Sequence, residues 1–163
     1  IQSFLIVVVF RALVGMPEKG ILLPSFWGLV LTTFLTAVAS SATGLFVSSF
    51  FTNADRAMTI APLLLMPQIL FSGLIFKLSG VVESLSWVAV CRWSMEGYGT
   101  IANLNVLPLR LQQEGVQIPH ETEHFFKHTS AHLATSWKIL LVYTVIFMIL
   151  SRICLSRIKK ENA

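Results

Sequence analysis

TIAPLLLMPQILFSGLIFKLSGVVESLSWVAVCRWSMEGYGTIANLN, residues Thr59 to Asn105, changes character partway along. Counted from Ala57, its first part runs 20 residues to Phe76 without a charge, about the length a helix needs to cross the hydrocarbon core of a bilayer. Pro62 and Pro67 lie inside that run. In a soluble helix each would cost about 3 kcal/mol, but membrane helices tolerate proline where neighbours or water satisfy the freed carbonyl. Two prolines five residues apart suggest a kinked helix beside a cavity, the alternative being a kink of purely structural value. After Lys77 the chain turns amphipathic. Val81, Val82, Leu85, Val88 and Ala89 recur at helical spacing opposite Glu83, Ser84 and Ser86. Gly80, Gly97 and Gly99 interrupt the segment, and Trp87 and Trp93 suit the headgroup level. Only the eight residues Ser84 to Cys91 are free of charge, too few to span. The segment from 80 to 105 therefore reads as a helical hairpin that dips into the interface and returns. Arg92 and Glu96 stand four apart and can pair, a weak effect on an exposed face. A spanning helix that feeds straight into a semi-polar hairpin suggests a helix lining a pathway and a structure covering its mouth.

Working outward, the composition agrees. Of 163 residues, 55% are hydrophobic and 12% charged, with mean hydropathy +0.74; a soluble domain carries about 25% charged residues. So few charges cannot make a solvated surface, and an all-α polytopic membrane protein is expected. The chain starts inside an apolar run at Ile1, with neither a basic n-region nor a small-residue cleavage site, and so reads as a fragment of a longer protein rather than a signal peptide. Residues 1–14 look like the outer end of a truncated span. A short loop with Gly15, Pro17, Glu18, Lys19 and Gly20 follows. Pro24 suits a helix start, which places the first complete span at about 25–51. In its middle Ala37/Ser41 and Ser40/Gly44 are small-xxx-small pairs, which let helices approach closely, within the chain or across a dimer. A turn at Thr52 to Arg56 leads into the span at 57–76. After the hairpin comes a polar outer loop, 106–132, and a last span at about 133–155, flanked by Trp137 and Lys138 and extended by snorkelling of Lys138 and Arg152. Arg152, Arg157, Lys159 and Lys160 make the densest positive cluster and place the C-terminus in the cytoplasm by the positive-inside rule. The turn at Asp55 and Arg56 is then inside, and the region from Lys77 to Lys138 outside. Cys91 and Cys154 fall on opposite sides and cannot pair.

The strongest enzyme-like pattern is His120-Glu121-Thr122-Glu123-His124, which fits H-E-x-x-H. Two histidines one helical turn apart bind zinc there and the glutamate activates water; His128 and His132 continue the ladder. Against a metal site, Glu123 charges an x position usually left neutral, Pro119 puts His120 in a poorly fixed first turn, and no apolar helix surrounds the ligands. A solvated loop helix is the plainer reading. Neither a Gly-x-Ser-x-Gly elbow nor a G-x-x-x-x-G-K-[ST] loop occurs, so no serine hydrolase and no P-loop nucleotide site is expected in this chain. The short basic tail beside a membrane gives no ground for nucleic-acid binding.

The run FSGLIFKLSGVVESLSWVAVCRWSMEGYGTIANLN resembles the membrane domain of ABC exporters of the G subfamily and their bacterial relatives. The resemblance rests on Phe71 to Ile75, Leu85 to Trp87, Arg92-Trp93, Gly97-Tyr98, and Asn103 or Asn105. The order of segments is also similar across nearly the whole chain. The resemblance implies two such domains pairing around a cavity, as homo- or heterodimer in the plasma membrane, driven by a nucleotide-binding ATPase domain fused upstream. ATP and magnesium would bind in that domain, so this chain would hold no cofactor and no catalytic site of its own. It further implies that one face of the 57–76 helix lines the pathway for an amphipathic or lipid-like molecule. Pro62, Met66, Ile69 and Gly73 share such a face at i, i+4, i+7 and i+11. Leu74 and Ile75 would form an apolar outer valve that excludes water. The rival expectations are a membrane zinc peptidase using His120, Glu121 and His124, and a non-catalytic scaffold. The outer loop lacks cysteines, which favours a bacterial source.

Overall fold

The structure, a computed structural model, describes residues 1–15, 20–51, 54–73, 80–106 and 126–161. Among them there is no strand. The helices are α1 (Gln2–Val14), α2 (Ser25–Ser49), α3 (Ala54–Leu70), α4 (Val81–Ser86), α5 (Val90–Ala102) and α6 (Ser130–Glu161), with a short 3-10 turn at Leu104–Val106 after α5. Two are long and apolar enough to cross a membrane, Ser25–Ser49 and Ser130–Ser156. Pro24, with φ of −48° and extended ψ, precedes α2; its fixed φ suits that position, and the missing N–H would have been an orphan there in any case.

α2 packs most extensively on α6, and α5 lies against both, while α1 rests on α2 and α3 touches α2 and α5. Two apolar clusters form the interior. Leu35, Ala39, Val90, Trp93 and Leu140 make one; Val7, Leu29, Ile101 and Leu133 make the other, and Trp137 packs on both. The small-residue pairs read from the sequence are not the ones used within the chain. Ala37, Ser40, Ser41 and Gly44 are exposed, and Ala39 and Ala42 are buried in their place. Ser40 and Gly44 instead line a cleft of about 330 Å³ with Leu64, Leu65, Gln68 and Cys91.

Hydroxyl groups along one side of α2 hold the bundle together. Thr32, Thr33 and Thr36 each bond to the carbonyl four residues back, which satisfies the proton locally where no water competes. Their oxygens are then available to other helices. The Trp137 indole N–H donates to Thr32 Oγ1 at 2.9 Å and the Tyr98 hydroxyl to Thr33 Oγ1 at 2.9 Å, while Thr36 and Ser94 hydrogen-bond at 3.0 Å. One helix face thus binds two others through neutral hydrogen bonds.

α3 ends earlier than the uncharged run. It is helical to Leu70, and Phe71 and Ser72 then bond back to the Pro67 and Ile69 carbonyls. Gly73 adopts φ of 76°, a left-handed conformation that L side chains avoid. The Phe-Ser-Gly triplet is therefore a helix terminus, and helical spacing does not carry from Ile69 to Gly73. The rest of the expected span, to Phe76, lies outside the described residues.

α5 needs its glycines for a different reason. A Cβ on Gly97 would meet Thr32 Cγ2 at 3.0 Å, and one on Gly99 would overlap the Phe126 ring. Thr32 is fully buried and fixed at both its donor and acceptor, so it cannot give way. Gly97→Val is expected to cost about 1–3 kcal/mol by overpacking and to separate α5 from α2, seen as a lowered thermal midpoint in detergent or nanodiscs. Gly44→Val, with open space around its Cβ, should leave the midpoint nearly unchanged.

Candidate functional site

α4 and α5 are two short helices joined at Trp87 to Ala89, and their polarity is inverted relative to a soluble amphipathic pair. Val81, Val82, Leu85 and Val88 are exposed, whereas Ser86, Arg92, Ser94, Glu96 and Thr100 are buried. In an apolar solvent that is the stable arrangement: lipid solvates the aliphatic side chains, and the polar groups find partners inside.

The Arg92–Glu96 pair is therefore not the weak surface pair that spacing alone allows. Arg92 Nη1 donates to Ser86 Oγ at 2.7 Å and to the Glu83 carbonyl at 3.1 Å. Its guanidinium carbon lies 5.3 Å from the Trp87 ring centre and 5.0 Å from that of Trp93, within range of cation–π attraction. Nε stands 3.9 Å from Glu96 Oε2. The other carboxylate oxygen, Oε1, meets His132 Nε2 of α6 at 2.8 Å. Burial pushes the Glu96 carboxyl above its ordinary range, opposed by His132 and then by Arg92. The tryptophans are fixed in turn. Trp93 Nε1 donates to the Trp87 carbonyl at 3.0 Å, the Tyr143 hydroxyl of α6 donates to the same carbonyl, and the two indoles meet edge to face at 5.2 Å. Trp93 is thus a core residue rather than a headgroup anchor; Trp87 remains half exposed.

The end of α5 is closed by residues that follow it in the chain. Asn103 takes a left-handed φ of 53° and its N–H bonds to the Gly99 carbonyl, which caps the helix. Asn105 Nδ2 donates to the Phe126 carbonyl at 3.0 Å. His128 Nδ1 lies 2.8 Å from the Thr100 carbonyl; a carbonyl only accepts, so this nitrogen carries the proton. Two members of the histidine ladder, His128 and His132, are thereby engaged with α5. His120, Glu121 and His124 lie outside the described residues, and among those described no three His, Cys, Asp or Glu side chains gather as metal ligands.

The two faces of α3 differ. One, with Leu64, Pro67, Gln68 and Phe71, lines an apolar groove of about 730 Å³ against Phe46, Phe50, Leu85 and Phe147. Gln68 closes it toward α5, accepting from the Cys91 thiol at 3.5 Å. Pro62, Met66 and Ile69 occupy the other face and are exposed, Met66 at 61%. Gly73 is half-buried beyond the helix end, and Leu74 and Ile75 lie outside the described residues. Cys91 and Cys154 are both free thiols.

The buried pair allows a direct test of what holds the hairpin. Glu96→Ala leaves the Arg92 guanidinium buried without its carboxylate and should cost about 3–5 kcal/mol. Replacing both charges together, Arg92→Met with Glu96→Gln, should cost clearly less. Thermal unfolding of the three proteins in the same detergent gives the comparison.

With this geometry established, the comparisons with known proteins fall into place. Neither a curated protein nor a solved structure matches the chain. The family model described as ABC-2 type transporter matches residues 1–107, from α1 through the hairpin to the turn that caps it. The chain therefore belongs to the ABC-2 type transporter family, as a membrane component of an ABC transporter, the kind of component that works with a nucleotide-binding ATPase.

Proposed function

We propose that this chain forms one half of the substrate pathway of an ATP-driven exporter in the plasma membrane, paired with a second copy or a homologous domain. The observation that carries the reading is the two-faced α3. One side, with Leu64 and Gln68, lines the groove toward α2 and α5, and the opposite side exposes Pro62, Met66 and Ile69 next to a segment whose sequence resembles the exporter pathway motif. That uncovered face is apolar, which suits an amphipathic or lipid-like cargo. Gly73 ends the helix just beyond it, and Leu74 and Ile75 follow as the outer valve. Under this reading the basic C-terminal segment is cytoplasmic and the α4–α5 hairpin lies at the outer surface.

The ATPase component supplies the energy, with ATP and magnesium bound there. This chain carries no P-loop sequence, and its task is to move, not to catalyse. Closing and reopening an apolar valve requires the helices on either side of the two-fold axis to part together. The left-handed Gly73 that ends α3 gives the chain a place to bend without breaking a longer helix.

The complete transporter, reconstituted with its ATPase in proteoliposomes, tests both claims. A Met66→Cys variant should form a cross-linked dimer with a short bifunctional thiol reagent, in a background where Cys91 and Cys154 are replaced. Leu74→Ala should lower transport per ATP hydrolysed by roughly tenfold, the effect of about 1.4 kcal/mol on a barrier. Wild-type coupling in a folded Leu74→Ala protein would count against the valve, and absence of the Met66 cross-link against the facing of α3.

A further inference from the structure

α1 and α2 leave a groove of about 470 Å³ between them. Trp27, Val30, Leu31 and Phe34 recur at helical spacing and make its wall along α2, and Ser3 and Phe4 line it from α1. Trp27 stands in the first turn of α2. From there to Phe34 the wall descends about 10 Å, a large part of the half-thickness of a bilayer's hydrocarbon core, about 15 Å. Phe4, Trp27 and Phe34 are each about half exposed.

A positive charge stands beside the first-turn end of this groove. Arg11, in the last turn of α1, is exposed, and no carboxylate among the described residues pairs with it. Its guanidinium carbon lies 6.0 Å from the centre of the Phe26 ring. That ring meets edge to face both Phe4, at 5.6 Å, and Trp27, at 5.5 Å. A single ring therefore separates the charge from the groove walls.

We propose that Arg11 and the α1–α2 groove form a binding site for one membrane glycerophospholipid, with its phosphate at the guanidinium and an acyl chain along Trp27 to Phe34.

The two parts of the site ask for the two ends of such a molecule. An aromatic ring takes the face of a guanidinium and leaves the N–H groups at its edge, where they match phosphate oxygens in pairs. Trp27 lies at the same level, and tryptophans favour the headgroup region. Farther along α2 the groove carries no charge, and its lining side chains offer only the Ser3 hydroxyl and the Trp27 N–H as polar groups. A hydrocarbon chain needs no hydrogen bond and suits that wall. Free phosphate would use Arg11 and leave the groove unfilled, and a neutral hydrocarbon would do the reverse; a phospholipid engages both. No residue of α3 lines this groove, so the site is separate from the pathway face proposed above. The lipid is a resident of the fold rather than cargo, and it fills space between α1 and α2 that side chains leave open.

The test uses the full transporter in a mild detergent, stripped of lipid and titrated with dioleoylphosphatidylglycerol, with bound lipid counted by native mass spectrometry. Dioleoylglycerol, which has the tails but no phosphate, serves as the comparison. The wild type should hold phosphatidylglycerol the more tightly. Arg11→Gln should weaken phosphatidylglycerol by about tenfold, the loss expected with one charged hydrogen-bonding partner, and leave dioleoylglycerol unchanged. Ser3→Phe, which fills the groove, should weaken both. Equal affinity of the wild type for the two lipids overturns the proposal, as does Arg11→Gln binding phosphatidylglycerol like the wild type. Should a variant fail to fold, a phosphatidylglycerol carrying a diazirine in one acyl chain decides in the wild type. Photolabel on residues 27–34 supports the site, and label confined to other parts of the transporter refutes it.

Discussion

A charged pair buried in a helix too short to cross a membrane sets the terms for everything around it. Arg92 and Glu96 are out of contact with water, and an ionised group in such a place is stable only if its neighbours replace the water. Ser86, the Glu83 carbonyl, two indole rings and His132 do so. Those partners come from α4, α5 and α6, so the pair is also what makes the hairpin and the last helix a single unit. The hydroxyls of α2 add the third side through Thr33 and Thr36. The pair gives the buried Ser86 and the edge-to-face tryptophans a common reason.

The apolar surface has the complementary role. Long aliphatic and aromatic residues are exposed along α1, α3, α4 and α6, a pattern that would aggregate a soluble protein and that a bilayer solvates. Because lipid gives no hydrophobic reward for bringing helices together, cohesion has to come from close packing and hydrogen bonds. That is what Ala39 and Ala42 and the threonine row of α2 supply.

Much of this was legible from residue order alone. Uncharged length placed a helix at about 25–51, close to Ser25–Ser49, with Pro24 at its start, and an apolar run with snorkelling flanks placed one at about 133–155, within Ser130–Ser156. The amphipathic run after Lys77, too short to span, holds two short helices, and its Leu-Ser-Trp, Arg-Trp and Gly-Tyr motifs gave the resemblance that the family match bears out at the level of the ABC-2 type. The direction of the hairpin's faces was not legible. Periodicity finds a stripe of valines and leucines but not whether that stripe meets protein or lipid, and here it meets the outside. Which small residues of α2 are used was not legible either, since the buried Ala39 and Ala42 stand three apart and fall outside the i, i+4 pairs that the pattern picks out. The row Thr32, Thr33 and Thr36 was a signal that could have been read: three hydroxyls on one side of an apolar helix need partners, and a tyrosine, a tryptophan and a serine elsewhere supplied them. The ending of α3 was missed because no charge marks it. Gly73 ends the helix by backbone geometry, not by polarity.

The distance along the chain between the hairpin and its partners bears on how the protein is made. α5 leaves the ribosome with Arg92 and Glu96 already in place, but His132, Trp137 and Tyr143 emerge only after a further thirty or so residues of polymerisation. During that interval Arg92 already has Ser86, the Glu83 carbonyl and the two indoles, but Glu96 lacks His132 and the Trp87 carbonyl lacks Tyr143. In biogenesis, then, α6 secures elements translated well before it.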